Sequence, residues 1–211
     1  MTTEKTVKLA VNGGIAFGSK LNSKQLLTLA QYMNDEEEME LTTFQQLYVN
    51  IPESKLEEAK NAFEQVGLVH YPVGNFVKSL RTCNFCKGEI EEGMPIAKEL
   101  NRRIAGKPVP FTLRPAYTGC PTACGEPLVN DIGVIKRHNE RYDLYVGGRA
   151  KGLDARTAEL FAGELTEDAL YKSVDYLIDT YSANGKKREQ FWKFINRYGK
   201  VELQEEVKAV L

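Results

Sequence analysis

No apolar run in this chain approaches the length of a membrane span, and it has neither a low-complexity segment nor an internal repeat of fixed period. A spanning helix needs roughly 20 consecutive apolar residues, so no membrane is expected as a partner. The missing repeat removes solenoid and propeller architectures. An excess of one charge sign is also absent: 28 Lys and Arg stand against 29 Asp and Glu, and neither half is strongly basic. That argues against nucleic acid as the main partner. Of the histidines, His70 is too isolated to nominate as a proton donor. Cysteine is the informative scarcity, because all four lie between Arg81 and Cys124.

What is there is organised around those four. They form two close pairs, Cys83-Asn84-Phe85-Cys86 and Cys120-Pro121-Thr122-Ala123-Cys124. The chain begins Met-Thr-Thr-Glu-Lys without a signal peptide and is 27% charged, so a cytoplasmic protein is expected, where thiols stay reduced. Disulfides are disfavoured on that ground. Four free buried cysteines, a structural zinc ion and an iron–sulfur cluster remain. Zinc sites usually join two Cys-x2-Cys knuckles by a short ribbon, whereas the second pair here is Cys-x3-Cys and the intervening stretch is long. The spacing therefore favours iron and sulfide, with one thiolate for each corner of a cube and none spare.

The 211 residues, 42% of them hydrophobic, suffice for one large domain or two small ones. Thr6 to Val11 alternates as a strand ending at Asn12-Gly13-Gly14, and Asn22 or Ser23 caps a helix through Met33 with Leu26, Leu27, Ala30 and Met33 on one face. Met39 to Ile51 reads as one long strand, with Thr42, Phe44, Gln46 and Tyr48 sharing a face. Pro52 and Glu53 open a helix carrying Leu56, Ala59, Ala62, Phe63 and Val66 as far as Gly67, and Gly67 to Tyr71 begins a returning strand. This order is ferredoxin-like. Two domains are expected, 1–74 and 75–211.

In the second part, Met94 to Ala105 reads as a helix closed by Gly106, and Val109 to Tyr117 as a strand delivering the second cysteine pair. Ile132–Lys136 and Tyr142–Val146 form a hairpin through His138-Asn139-Glu140. Thr166 caps a helix to about Ser182 with Leu170, Val174, Leu177 and Ile178 inward, and Arg188 to Tyr198 forms another with Phe191, Trp192 and Ile195. The expected fold class is α+β, a ferredoxin-like half domain followed by a cofactor-binding α/β domain with a helical tail.

Thr118-Gly119-Cys120-Pro121-Thr122-Ala123-Cys124, Asn130-Asp131-Ile132-Gly133-Val134 and Tyr142-Asp143-Leu144-Tyr145-Val146-Gly147-Gly148 together resemble the sirohaem and 4Fe-4S domain of the nitrite and sulfite reductases. Leu41-Thr42-Thr43-Phe44-Gln45-Gln46 is similar to the first strand motif of that family's ferredoxin-like half. The resemblance implies a 4Fe-4S cluster on Cys83, Cys86, Cys120 and Cys124, with Cys124 bridging to sirohaem. It implies reduction of a small oxyanion, with electrons delivered by a donor protein or flavoprotein.

Sirohaem carries eight carboxylates, which guanidinium groups and backbone N–H donors would hold. Arg81, Arg102, Arg103, Lys107, Arg114, Thr118, Gly147, Gly148, Arg149 and Lys151 lie in the right segments, with Arg81 and Arg114 nominated as catalytic. The chain departs from the family at Phe44 and at Thr112, where cations are usual, and shortens the first spacer to Asn84-Phe85. The alternative reading is therefore a non-catalytic iron–sulfur carrier, sensor or tetrapyrrole-binding protein without the distal cations. A single ferredoxin-like half also suggests a homodimer that would restore a pseudo-twofold arrangement.

Overall fold

The computed structural model describes residues 4–15, 20–34, 36–86 and 89–211. The chain divides into two compact units, Met1–Val73 and Gly74–Leu211.

In the first unit, β1 (Thr6–Asn12), α1 (Ser23–Ala30), β2 (Glu40–Leu41), β3 (Leu47–Pro52), α2 (Leu56–Gln65) and β4 (Val69–Pro72) follow in order. Their sheet runs β2-β3-β1-β4 and every pair is antiparallel. Alternation on β1 and β3 turns Leu9, Val11, Val49 and Ile51 onto Leu29 of α1 and Ala59 and Phe63 of α2. This is the ferredoxin-like half, with one strand more than the sequence suggested.

The expected strand from Met39 to Ile51 is in fact two strands joined by a tight turn. The Thr42 hydroxyl accepts N–H bonds from Phe44 and Gln46, the Thr42 N–H donates to the Gln46 carbonyl, and Gln45 is left-handed at φ 58°. A threonine that satisfies backbone donors two and four residues ahead competes directly with the strand ladder. Thr42 and Phe44 therefore belong to the turn, where Phe44 is buried, and share no strand face with Tyr48.

The first helix also differs in its buried face. Asn22 and Gln25 form a reciprocal capping box, and the Gln25 amide donates to the carbonyls of Val66 and Gly67. That pins Gln25, Thr28 and Leu29 inward, leaving Leu26 at 46% and Leu27 at 67% exposure. Leu26, Leu27 and Ala30 of the expected stripe lost to one polar anchor, while Met33 still packs against the core.

The second unit holds β5 (Arg81–Thr82), α3 (Glu89–Ile104), β6 (Pro115–Thr118), β7 (Ile132–Lys136), β8 (Tyr142–Val146), β9 (Glu159–Leu165), α4 (Glu167–Asn184), α5 (Phe191–Tyr198) and α6 (Lys200–Val210). The sheet runs β5-β6-β7-β8-β9, parallel through β7 and antiparallel thereafter. The β7–β8 hairpin forms as expected, closed by Arg137 N–H donating to the Arg141 carbonyl, with Asn139 and Glu140 left-handed.

Three boundaries move for local reasons. The expected strand from Val109 shrinks to Pro115–Thr118, because Pro110 and Pro115 supply no N–H for a ladder. The helix placed from Met94 begins at Glu89 and carries Pro95 within it. Arg188 is left-handed at φ 62°, so α5 cannot start there, and Phe194 rather than Trp192 joins Phe191 and Ile195 in the core. Strand β9 and helix α6 were not expected from the sequence, although Leu203 and Val207 of α6 are buried at helical spacing. Helix α4 buries Leu170, Val174, Leu177 and Ile178 behind its Thr166 cap, as expected. No helix among the described residues is long and apolar enough to cross a membrane.

Candidate functional site

Parallel pairing of β5 with β6 brings the cysteine pairs to one end of the sheet. Arg81 lies opposite Ala116 and Thr82 opposite Tyr117, so Cys83 leaves β5 beside Thr118, two residues before Cys120. The Gly119 N–H donates to the Cys83 sulfur at 3.4 Å. All four cysteines are free thiols, Cys83 and Cys120 half-buried and Cys86 and Cys124 exposed.

Close backbone packing then fixes the second pair. From Gly119 to Asp131 the chain crosses over to β7 with only a short 3-10 turn at Pro127–Val129. A Cβ at Gly125 would stand 2.3 Å from the Tyr117 carbonyl and 3.2 Å from the Cys83 nitrogen, and one at Gly133 would stand 2.2 Å from the Pro127 carbonyl. The crossover lies on the sheet without side chains between, holding Cys124 near Cys83 in the fold. In each pair the residue before the second cysteine is left-handed, Phe85 at φ 48° and Ala123 at φ 59°. Phe85 is fully buried and stacks on Tyr117 with ring centroids 6.2 Å apart. Burying such a ring stabilises the loop by about 1.5–3 kcal/mol, more than the left-handed backbone costs at roughly 1–2.

The donor set fits an iron–sulfur cube. It offers one thiolate for each of four irons, and among the described residues no three His, Cys, Asp or Glu side chains are grouped as ligands of a single metal ion. Thr118 is fully buried with no hydrogen-bond partner for its hydroxyl. An orphan of that kind costs about 1–3 kcal/mol, which a bound sulfur accepting from it would offset.

The nominated cations are differently placed. Arg81 reaches Glu126 at 2.9 Å, within the cysteine end. Arg102 and Arg103 both bind Glu99, and Arg103 and Lys107 bind Asp175, tying α3 and its exit to α4. Lys107 also meets Asp179 at 3.0 Å. Thr112 donates to the Gly74 carbonyl.

Arg114, Gly147, Gly148 and Arg149 lie at the opposite end of the sheet, since Pro115 pairs with Ile132 and Ile132 with Val146. There Gly147 donates to the Asp131 carbonyl, and a Cβ at Gly148 would stand 2.6 Å from the Asn130 carbonyl. Arg149 binds the Lys151 carbonyl, the Gln190 amide oxygen and, at 3.8 Å, Asp154. Of the nominated cations Arg114 and Lys151 make no ion pair among the described residues.

Asp131 sits at that far end, buried, its carboxylate accepting the Arg114 N–H at 2.8 Å. Burial pushes its carboxyl up to about 6, against the pull of that hydrogen bond and of the Arg114 and Arg149 charges. A folded value above the unfolded one, near 3.9, means that the stability linked to Asp131 is complete below about pH 4 and lost as pH rises through about 6. Asp131→Asn should therefore match the wild type in urea midpoint near pH 4 and exceed it by on the order of 2–3 kcal/mol near pH 8. Parallel curves for the two proteins would show that the aspartate does not carry this linkage.

One cation at the cysteine end escaped the sequence reading. Lys136 ends β7, one residue beyond the pair Thr118–Ile135, which sets its backbone beside Gly119. It is 4% exposed, and its ammonium lies 2.7 Å from Glu92 in the first turns of α3. That ammonium holds the Glu92 carboxyl below its ordinary value. The signal available was a lysine closing the otherwise apolar run Ile132-Gly133-Val134-Ile135.

The comparisons agree with this geometry. The family described as nitrite and sulphite reductase 4Fe-4S domain matches residues 76–211. A cobalt-factor III methyltransferase of Priestia megaterium is 29% identical over 92% of this chain, and the NADPH sulfite reductase hemoprotein beta-component of Methylorubrum extorquens strain PA1 is 29% identical over 72%. The chain spans only 35% and 26% of those two proteins. In fold it is similar to dissimilatory sulfite reductase I, with a TM-score of 0.72 at 13% identity over 96% of this chain and 68% of that one. With its paired cysteines at the ends of adjacent parallel strands and more than half its length matched, the chain belongs to the nitrite and sulphite reductase 4Fe-4S domain family.

Proposed function

We propose that this chain is a redox domain that holds a 4Fe-4S cluster on Cys83, Cys86, Cys120 and Cys124 and passes single electrons through it. The observation that carries this is the delivery of both cysteine pairs to one sheet end, with the Gly119 N–H aimed at the Cys83 sulfur. When bound, the cluster supplies the electron-storing chemistry. The chain's own part is to hold it. The Gly119 N–H donates to the Cys83 sulfur, the buried Thr118 hydroxyl would be available to donate to a further sulfur, and the buried Phe85 ring backs the inner side of the first loop. Electrons would come from a donor protein or flavoprotein.

Reduction of a small oxyanion at sirohaem is the fuller form of this reading, and the sulfite reductase relatives support it by name. The nominated cations do not fit that cofactor. Arg81, Arg102, Arg103 and Lys107 are matched to acids, and Arg114 stands at the far end of the sheet. No step is therefore routed through sirohaem. The carrier or tetrapyrrole-handling reading gains from the match over 92% of this chain to a protein named for a cobalt-factor methyltransferase.

Anaerobic turnover of sulfite and nitrite with a reduced viologen dye, on the chain supplied with iron, sulfide and sirohaem, separates these. The expected result is a brown protein that takes up the cluster and turns over neither anion above the free cofactor. Sustained turnover with a split haem spectrum would restore the reductase reading.

A further inference from the structure

Every cation nominated from the sequence either meets an acid or lies at the far end of the sheet, but the cysteine end contains a buried one that the proposed function does not use. Lys136 emerges beside Gly119, between the two residues that bracket the second loop's entry, Thr118 and Cys120. Its side chain is 5% exposed, and its ammonium is fixed from the other direction by Glu92, near the start of the helix that follows the Cys83–Cys86 loop. Two independent elements, a strand end next to one cysteine loop and a helix start next to the other, thus fix one ammonium at the cysteine end of the sheet.

The pair is also asymmetric. The Glu92 side chain is 63% exposed, so water screens its charge, while the lysine sits where screening is weak.

The geometry points to Lys136 as the residue that sets the reduction potential of a cluster held on Cys83, Cys86, Cys120 and Cys124. This rests on the cluster reading above. Adding one electron to a cube already bearing four thiolates raises its negative charge by one, and a fixed positive charge close by favours that reduced form. Lys136 takes up and releases no proton in this step; the electron comes from an external reductant and stays on the cluster. It is a positioning residue, acting through space. For a unit charge roughly 10 Å away and an effective dielectric of about 20, the effect on a one-electron equilibrium is about tenfold.

The test is an anaerobic redox titration of the reconstituted full chain with dithionite and mediator dyes, reading cluster absorbance and the paramagnetic signal of the reduced cube. Lys136→Gln should shift the reduced-to-oxidised ratio at fixed potential about tenfold toward oxidised, which is about 59 mV for one electron. Lys136→Arg should stay within about threefold of wild type, and Glu92→Gln should shift the ratio toward reduced by less than Lys136→Gln shifts it away. Lys136→Gln with full iron and sulfide and an unchanged ratio would overturn the inference, as would a shift of both variants in the same direction, which a broken tether would give. If Lys136→Gln loses its cluster, Glu92→Gln decides: a shift toward reduced supports the assignment, and no shift or the reverse sinks it. Wild-type protein that takes up no iron and sulfide overturns the cluster reading and this inference together, whereas a wild-type cluster with an indifferent Lys136 overturns this one alone.

Discussion

Gly125→Ala is expected to cost about 3 kcal/mol or more of stability and most of the bound iron. The added methyl would stand 2.3 Å from the Tyr117 carbonyl, a distance real Cβ atoms do not adopt, and 3.2 Å from the Cys83 nitrogen. Both neighbours are backbone atoms at the end of the sheet, so neither can rotate away. Overpacking where side chains can adjust costs about 1–3 kcal/mol, and a site walled by backbone lies at or beyond the upper end. The crossover has to lift, and Cys124, the next residue back, lifts with it.

Gly163→Ala is the matched control. Its methyl would meet Asp143 Oδ1 at 3.3 Å, an atom on a side chain that can give by a few tenths of an ångström. Urea midpoints and iron content measured side by side should show Gly163→Ala near wild type and Gly125→Ala low in both. Equal behaviour of the two variants would mean that close packing of the crossover does not seat the second cysteine pair.

The second large effect is expected at the cysteines themselves. Removing any one thiol leaves a corner of the cube without a ligand, because the chain has four cysteines and no fifth to substitute. Cys120→Ala and Cys83→Ala should fall to background in iron and sulfide after reconstitution. Cys83→Ala should also leave the Gly119 N–H without its sulfur acceptor, at about 1–3 kcal/mol. Full cluster content in either variant would remove that cysteine from the ligand set.

Much of the fold was legible because its signals are local. The β7–β8 hairpin, the Thr166 cap and the buried stripe of α4 each depend on residues a few positions apart. The cysteine pairs were legible for the same reason. The errors arose where a polar side chain or a distant partner overrode the pattern. Thr42 breaks an alternating run by accepting two backbone N–H bonds, and Gln25 turns α1 by reaching Val66 and Gly67, more than forty positions along the chain.

The site shows the same division. The four candidate thiolates could be picked out from spacing, but which cations are available could not. Arg103 and Lys107 find their acids 72 residues away, and Arg149 is held by Gln190 across 41. A basic residue near a cysteine in sequence says little about its charge in the fold. Lys136 went unnoticed for the converse reason: 12 residues beyond Cys124 in the chain, it sits beside Gly119 only because β6 and β7 pair in parallel.

The central claim is that the four cysteines hold one cube. The most direct measurement is iron, acid-labile sulfide and zinc on the same anaerobically reconstituted sample, with its visible spectrum. The account predicts about four irons and about four sulfides per chain, a broad brown absorption and no stoichiometric zinc. One zinc per chain in a colourless protein that refuses iron and sulfide would contradict it.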